Sequence, residues 1–161
     1  MPDWFVVNAA DARALKHERS GTGIAFEDPD ERFPEVGINI RVLNPGQPNG
    51  KYHSENVQED FLVLSGECIL IIEEEERRLR AWDFVHCPPG TPHIFVGAGD
   101  GPCAILMIGA RNPDATIEYP VSEAAARHGA SVTEATSDPR EAYADWGGRA
   151  SLKPTRAPWP P

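Results

Sequence analysis

Short apolar runs separated by turn-forming residues recur through the middle of the chain. Ile38, Ile40 and Val42 alternate with Asn39 and Arg41, and this two-residue period predicts a strand with one buried face. Glycine- and proline-containing turns separate this strand from later apolar runs. The further strands predicted in this way cover residues 61–64, 68–72, 79–87, 93–96 and 103–109. Many short strands at regular spacing are typical of a β-sandwich or a β-barrel.

The segments on either side of these strands lack the alternating pattern. Residues 1–35 are mixed and polar and contain several glycines and prolines, so we expect an N-terminal arm with one short strand at 4–7. Residues 112–161 are expected to form short helices and a proline-rich tail. Because no repeat or second apolar core interrupts the chain, the sequence predicts one domain over residues 1–161, with its barrel core at about 36–111.

Polar residues define the ends of several predicted elements. The charged run at 73–78 is expected to form the solvated tip of a hairpin. Ser122 is a suitable N-cap for one short helix, and Asp138 followed by Pro139 is typical of the start of a second. We therefore expect an all-β domain whose helices are confined to its C-terminal segment.

The composition of the chain excludes some classes of partner and of site. A net charge of −10 repels nucleic acid and anionic membrane surfaces, so we expect neither as a partner. The three cysteines are odd in number, form no CxxC pair and lie in apolar stretches, so we expect them to be buried and unpaired. The first residues lack a basic region followed by an apolar core, and we expect a cytoplasmic protein.

Two segments concentrate side chains that bind metals. One contains His53, Glu55 and Glu59, and the other ends at His93. Residues two apart on an extended chain face the same way, so His53 and Glu55 can point at one ion, and closing a sheet brings inward positions of other strands to the same place. Two histidines with one or two carboxylates suit Fe(II), Mn, Ni, Co or Zn and leave positions open for water or a small ligand.

The spacing of these segments resembles the two sequence motifs of the cupin superfamily. In the first segment His53 is followed by Glu55, by Glu59 after three residues, and by Gly66 after six more. The second segment, 88–93, matches through its first proline, its glycine and its final histidine. The short interval between the two segments is similar to that of compact bacterial single-domain members of the cupin-2 type.

This resemblance, which covers about 36–111, implies a fold and a site. It implies a double-stranded β-helix, or jelly-roll barrel, and one divalent metal ion held by His53, Glu59 and His93. Glu55 stands where the family motif has a second histidine. If Glu55 binds the metal, the two carboxylates cancel its charge and weaken it as a Lewis acid. If Glu55 lies beside the metal, the remaining set is the two-histidine, one-carboxylate triad of non-heme iron oxygenases.

Several functions are compatible with this resemblance, because the fold alone does not fix a reaction. The first hypothesis is an enzyme that acts on a small polar metabolite at the metal, with oxygenase chemistry favoured over isomerase chemistry and no catalytic residue assigned. The alternative is a non-catalytic cupin that binds a metal or small ligand for sensing or storage. Cupins of this size are often dimers, and the long flanking segments fit a role in pairing, so we expect a homodimer.

Several other side chains are expected to lie near the predicted ligands in a barrel. Phe61 and Phe95 share strand faces with the ligands and suit either a pocket wall or the core. His86 is expected to be a buried, hydrogen-bonded histidine. Arg41, on the polar face of its strand, and Tyr52 are positioned where a polar substrate can be contacted, and the sequence assigns no role to either.

Overall fold

A computed structural model describes residues 4–147 and 151–158. The strands are β1 Arg13–His17, β2 Gly21–Ala25, β3 Val36–Leu43, β4 Ser54–Glu55, β5 Glu59–Ser65, β6 Glu67–Ile72, β7 Glu75–Arg80, β8 Phe84–Cys87, β9 His93–Ala98, β10 Cys103–Ala110, β11 Ile117–Glu118 and β12 Lys153–Thr155. The helices are α1 Glu123–Ala126 and α2 Pro139–Ala142, followed by a 3-10 turn at Ala144–Trp146.

The strands form antiparallel sheets that face each other across an apolar core. One sheet has seven strands in the order β12-β1-β2-β3-β10-β5-β8, a second has the order β7-β6-β9, and β4 pairs with β11. Side chains from both larger sheets, including Val63, Leu70, Phe95 and Ile105, fill the space between them. This arrangement confirms the predicted all-β jelly-roll fold. The three cysteines are free and buried, as predicted.

The N-terminal segment differs from the predicted arm. Residues 4–7 lie outside the strands and expose their apolar side chains. Instead, β1 and β2 extend the seven-stranded sheet, with β2 hydrogen-bonded to β3. Ala14 and Ile24 pack with Ile40, Val42 and Ala104 on the face of this sheet that points away from the main core. No sequence pattern indicated β2, because its glycines have low strand propensity and its threonine adds little apolar surface.

The charged run at 73–78 is mostly strand rather than hairpin tip. Pairing between β6 and β7 extends from Glu67 to Ile72, so only Glu73 and Glu74 form the turn, both with positive φ. The strand predicted at 79–87 is interrupted by a turn at which Trp82 has φ 76°, and its two parts lie in different sheets. Edge strand β7 needs no buried face, which explains why charged residues can occupy it.

The C-terminal segment has the two short helices that were predicted. Ser122 Oγ accepts a hydrogen bond from the Ala125 amide at 2.9 Å, and Asp138 caps the second helix through the Arg140 amide. The alanines of α1 pack against Ile71 and Ile94 of the three-stranded sheet. Part of the predicted proline-rich tail forms β12, and residues 159–161 lie outside the described residues. Within the described chain, no helix has the length and apolar character needed to span a bilayer.

Candidate metal centre

Backbone pairing between the two motif segments brings the predicted ligands together. The amide of His53 donates to the carbonyl of His93 at 3.2 Å, and the reverse bond is 2.9 Å. The Gly90 amide also donates to the Glu55 carbonyl at 2.6 Å. Glu59, the first residue of β5, places Oε2 3.5 Å from Nε2 of His93. As a result, one ligand atom from each of His53, Glu59 and His93 lies within 4.8 Å of the other two.

Backbone carbonyls orient both imidazole rings for metal binding. Nδ1 of His53 lies 2.8 Å from the Lys51 carbonyl, and Nδ1 of His93 lies 3.0 Å from the Thr91 carbonyl. Because a carbonyl oxygen can only accept, each Nδ1 must carry the hydrogen. Each Nε2 then keeps its lone pair, and in both rings this atom is the one that faces the acidic side chains. Such outer hydrogen bonds are the usual support for histidine ligands.

Burial sets the protonation states of the three side chains. It lowers the pKa of His53, and burial together with the neighbouring His53 lowers the pKa of His93 to about 4. Burial and the nearby Glu55 carboxylate raise the pKa of Glu59 to about 8. The imidazoles are therefore neutral at pH 7, as metal ligands must be, and a cation would replace the proton of Glu59. Two imidazole nitrogens and one carboxylate oxygen are a donor set that fits a divalent transition metal.

Glu55 lies beside this group of three. Its Oε1 is 4.0 Å from Nε2 of His53, and its side chain is about 30% exposed. Strand β4 is held in place by pairing with β11, in which Glu55 is opposite Ile117. The four predicted residues therefore line one site, but the tight group contains three of them, and the role of Glu55 as a ligand remains a prediction.

The three side chains open into a cavity of about 390 Å³. Phe61 forms part of its wall, and its ring centroid lies 5.1 Å from that of His93. Phe95 is fully buried behind Phe61, so only one of these two aromatic residues lines the cavity. A volume near the lower end of the range for small-molecule sites suits a small metabolite rather than a polymer.

Sequence reasoning missed several polar residues of this cavity. Tyr119 and Tyr143 come from the C-terminal segment, where no spacing or motif indicated a site. The Tyr119 ring lies 6.0 Å from that of His53, and burial raises the pKa of its hydroxyl, so it stays protonated at neutral pH. Asn39 also lines the cavity, together with Arg41, which the sequence had placed on the polar face of its strand without assigning a role. Their alternation with isoleucine and valine in β3 was the available signal.

His86 does not have the buried position that was predicted. Its side chain is half exposed, and its Nδ1 lies 2.7 Å from Oδ1 of Asp60. The prediction was wrong because β8 is the last strand of its sheet. His86 shares the outer face of β8 with the exposed Phe84 and takes no part in the metal centre.

Comparisons with known proteins agree with this architecture. The family model for the cupin domain matches residues 39–109. A structure described as a sugar phosphate isomerase from a cupin superfamily, from Silicibacter pomeroyi, is 26% identical, with 68% of this chain and 66% of that chain covered and a TM-score of 0.53. A search of curated proteins found no match.

Two further structures share the fold at lower identity. A polyketide cyclase from Streptomyces resistomycificus is 18% identical over 70% of this chain and 83% of its own, with a TM-score of 0.59. A cupin protein from Bacteroides fragilis is 22% identical over 71% and 89%, with a TM-score of 0.54. The motif spacing, the facing antiparallel sheets and the family-model match together show that residues 39–109 form a cupin domain.

Proposed function

We propose that this protein is a metal-dependent enzyme that acts on a small polar metabolite inside the barrel. The observation that carries the proposal is the convergence of His53, Glu59 and His93 at the wall of a cavity of about 390 Å³. A closed structural metal site would have no need of such a cavity, whereas catalytic sites leave ligand positions open to a substrate.

The residues around the site have distinct chemical roles in this proposal. A divalent ion bound there supplies Lewis acidity, which stabilises negative charge as it develops on a substrate. Phe61 excludes water from one side of the site. The protonated Tyr119 hydroxyl is a hydrogen-bond donor toward the cavity. The Glu55 carboxylate can accept a proton from the substrate when it is not itself bound to the metal.

We propose two reaction classes, with oxidation by O₂ ranked above isomerisation. The two-histidine, one-carboxylate set is that of non-heme iron oxygenases, so oxidation by O₂ is the first reaction to test. Isomerisation is the second, and the 26% identical structure described as a sugar phosphate isomerase supports it. Two assays can measure turnover. One records oxygen consumption by the iron-loaded protein, and the other uses proton NMR to detect conversion of candidate metabolites. Binding without turnover in both assays would favour the non-catalytic alternative.

Metal content is the measurement that tests the centre itself. We expect about one equivalent of divalent metal, by mass spectrometry, in protein purified without an affinity tag. Glu59→Ala and His93→Ala should each lose it, whereas His86→Ala, which removes an exposed histidine outside the site, should retain it. A wild-type protein that binds no metal even after reconstitution would contradict the proposed function.

A variant of Glu55 distinguishes a role as a metal ligand from a role as a proton acceptor beside the metal. If Glu55 is a fourth ligand, Glu55→Gln should bind metal more weakly than the wild type, because a negatively charged oxygen donor is lost. If Glu55 acts beside the metal, the same variant should keep its metal and lose turnover. Metal titration and activity assays on one preparation distinguish these results.

The homodimer is also a proposal, and the edge of the seven-stranded sheet supports it. Among the described residues β8 is the last strand of that sheet, and Phe84 in this strand and Trp82 just before it are 65% and 74% exposed. Exposed apolar side chains along an unpaired edge favour pairing with a second copy. Sedimentation should show a dimer that Phe84→Ser weakens and that Val121→Ser, an exposed apolar control elsewhere, does not. A monomeric wild type would contradict this proposal.

Two further expectations concern location and partners. We propose a cytoplasmic location, and the net charge of −10 supports the proposal that the protein binds no nucleic acid. A mobility shift with duplex DNA or RNA at physiological salt would contradict the second expectation.

A further inference from the structure

One strand presents its polar face to the cavity that contains the metal centre. Gly37, Asn39 and Arg41 of β3 alternate along the strand and all line this cavity. The intervening Ile40 and Val42 are buried on the opposite side of the sheet, beside Ala14 and Ile24 of the neighbouring strands β1 and β2. The polar face of β3 therefore points inward, and its charge is available to a ligand rather than to bulk water.

Arg41 has no acidic partner among the residues that the structure describes. The hydrogen bond from its Nη1 to the Ser20 carbonyl is long, at 3.5 Å, and its Nε is buried without a partner. By contrast, the guanidinium of Arg111, which lines the same cavity, is bonded to the Glu27 carboxylate. Arginine stays charged even where burial lowers its pKa, as it does here. A buried charge without a counterion is costly, so this position is prepared for an anion.

The surroundings of Arg41 hold it in place and add recognition groups. A Cβ built on Gly23 would lie 3.5 Å from Nη1, so the guanidinium packs closely over the backbone of β2. The Tyr143 hydroxyl, which accepts a hydrogen bond from the Lys51 amide at 2.9 Å, lines the same cavity and interacts electrostatically with Arg41. Asn39 Oδ1 is buried without a donor, and a substrate hydroxyl would satisfy it.

We propose that Arg41 binds an oxyanion group of the substrate, a carboxylate or a phosphate, whose other end lies at His53, Glu59 and His93. This inference rests on the proposed function and narrows it to small metabolites that carry an anionic group and an oxygen able to reach the metal centre. The planar guanidinium offers the paired donors that fit a carboxylate or phosphate. Arg41 at one part of the cavity and the acidic ligands at another would orient such a molecule in one direction.

Three probes of matched carbon skeleton test the charge requirement with the metal-loaded protein. Calorimetric titration should show that glycerate or glycerol 3-phosphate binds at least tenfold more tightly than neutral glycerol. If glycerate binds more tightly than glycerol 3-phosphate, the anionic group is a carboxylate; if glycerol 3-phosphate binds more tightly, it is a phosphate. Arg41→Gln should weaken binding of the preferred anion by about 10-fold to 100-fold and leave glycerol binding unchanged. Arg140→Gln, at an arginine whose side chain is 92% exposed, is the control and should bind like the wild type.

A stability measurement separates a binding role from a structural one. Because Arg41 has no counterion in the described chain, Arg41→Met should keep or raise the melting temperature while it abolishes the preference for anions. A lower melting temperature together with unchanged anion binding would overturn the proposal, as would equal binding of glycerol and both anions.

Metal content measured on the same samples keeps the two proposals apart. Bound metal without any anion preference contradicts the role of Arg41 and leaves the metal centre standing. An anion preference that depends on Arg41 in protein that binds no metal contradicts the metal-dependent enzyme and leaves the anion site standing.

Discussion

Arg111, just after β10, ties the N-terminal segment to the barrel. Its guanidinium donates to both carboxylate oxygens of Glu27, at 2.9 Å for Nη1 to Oε2, and to the Phe33 carbonyl. Both side chains are less than one-third exposed. The bond from Arg111 holds the pKa of Glu27 below its usual range. Since the folded pKa is lowered, the pair stabilises the protein above the ordinary carboxyl pKa, and this contribution is lost as the pH falls through the lowered value.

Replacing Arg111 should therefore have an effect that depends on pH. We expect Arg111→Met to lower the free energy of unfolding by about 1.5–3 kcal/mol at pH 7, the range for hydrogen bonds to charged groups. The difference from wild type should shrink below about pH 4, where unfolded carboxylates become protonated. Urea denaturation of both proteins at pH 7, 5 and 3 measures this difference in the free energy of unfolding. An equal difference at every pH would show that lost packing, not charge, is responsible.

At the scale of elements, Gly97 allows β9 to pass closely beneath the turn that follows β3. Its amide donates to the Gln47 carbonyl, and its carbonyl accepts from the Gly46 amide at 2.7 Å. A Cβ at residue 97 would lie 2.2 Å from the Asn44 carbonyl oxygen, which is too short for any side chain. A glycine at this position is thus needed for the contact.

An alanine pair tests the contact between β9 and the turn. Gly97→Ala should lower the free energy of unfolding by about 1–3 kcal/mol, the usual range for overpacking. Gly101→Ala is the matched control, because a Cβ there has no atom within 4 Å, and it should leave stability unchanged or slightly raised. Thermal unfolding of both variants compares them. Similar melting temperatures for the two would show that the turn moves aside at little cost.

For the whole molecule, the metal centre is also a junction between sheets. Glu59 belongs to the seven-stranded sheet and His93 to the three-stranded sheet, while His53 pairs with His93 through its backbone. An ion bound to all three would link the two sheets and stabilise only the folded state. Free metal at 100 times its dissociation constant adds about 2.7 kcal/mol of stability by mass action.

The stability of the whole barrel should therefore respond to metal. We expect a chelator to lower the melting temperature of the metal-loaded protein and added metal to restore it. Amide hydrogen exchange should slow in both β5 and β9 on metal addition. In His93→Ala the melting temperature should not respond. The same rise in this variant as in the wild type would place the stabilising ion elsewhere.

The sequence by itself determined which residues can form the centre. The intervals from His53 to Glu59 and from Pro88 to His93 are local, and they fix which strands begin with a ligand and which way it faces. The alternation in β3 likewise determined that Asn39 and Arg41 share a face, and Ser122 and Asp138 marked both helix starts. These features depend on neighbours along the chain, so pattern and spacing were sufficient.

Only the tertiary structure decided what covers each face. Alternation shows that two residues share a side of a strand, but it does not show whether that side meets solvent, core or cavity. The apolar side chains of β3 are buried together with those of its sheet neighbours β1 and β2, and Arg41 lies on the opposite side, facing the cavity. Tyr119 and Tyr143 reach the same cavity from a distant segment without any sequence signal. Such contacts join residues far apart in the chain, and they follow from how the complete set of apolar surfaces is buried.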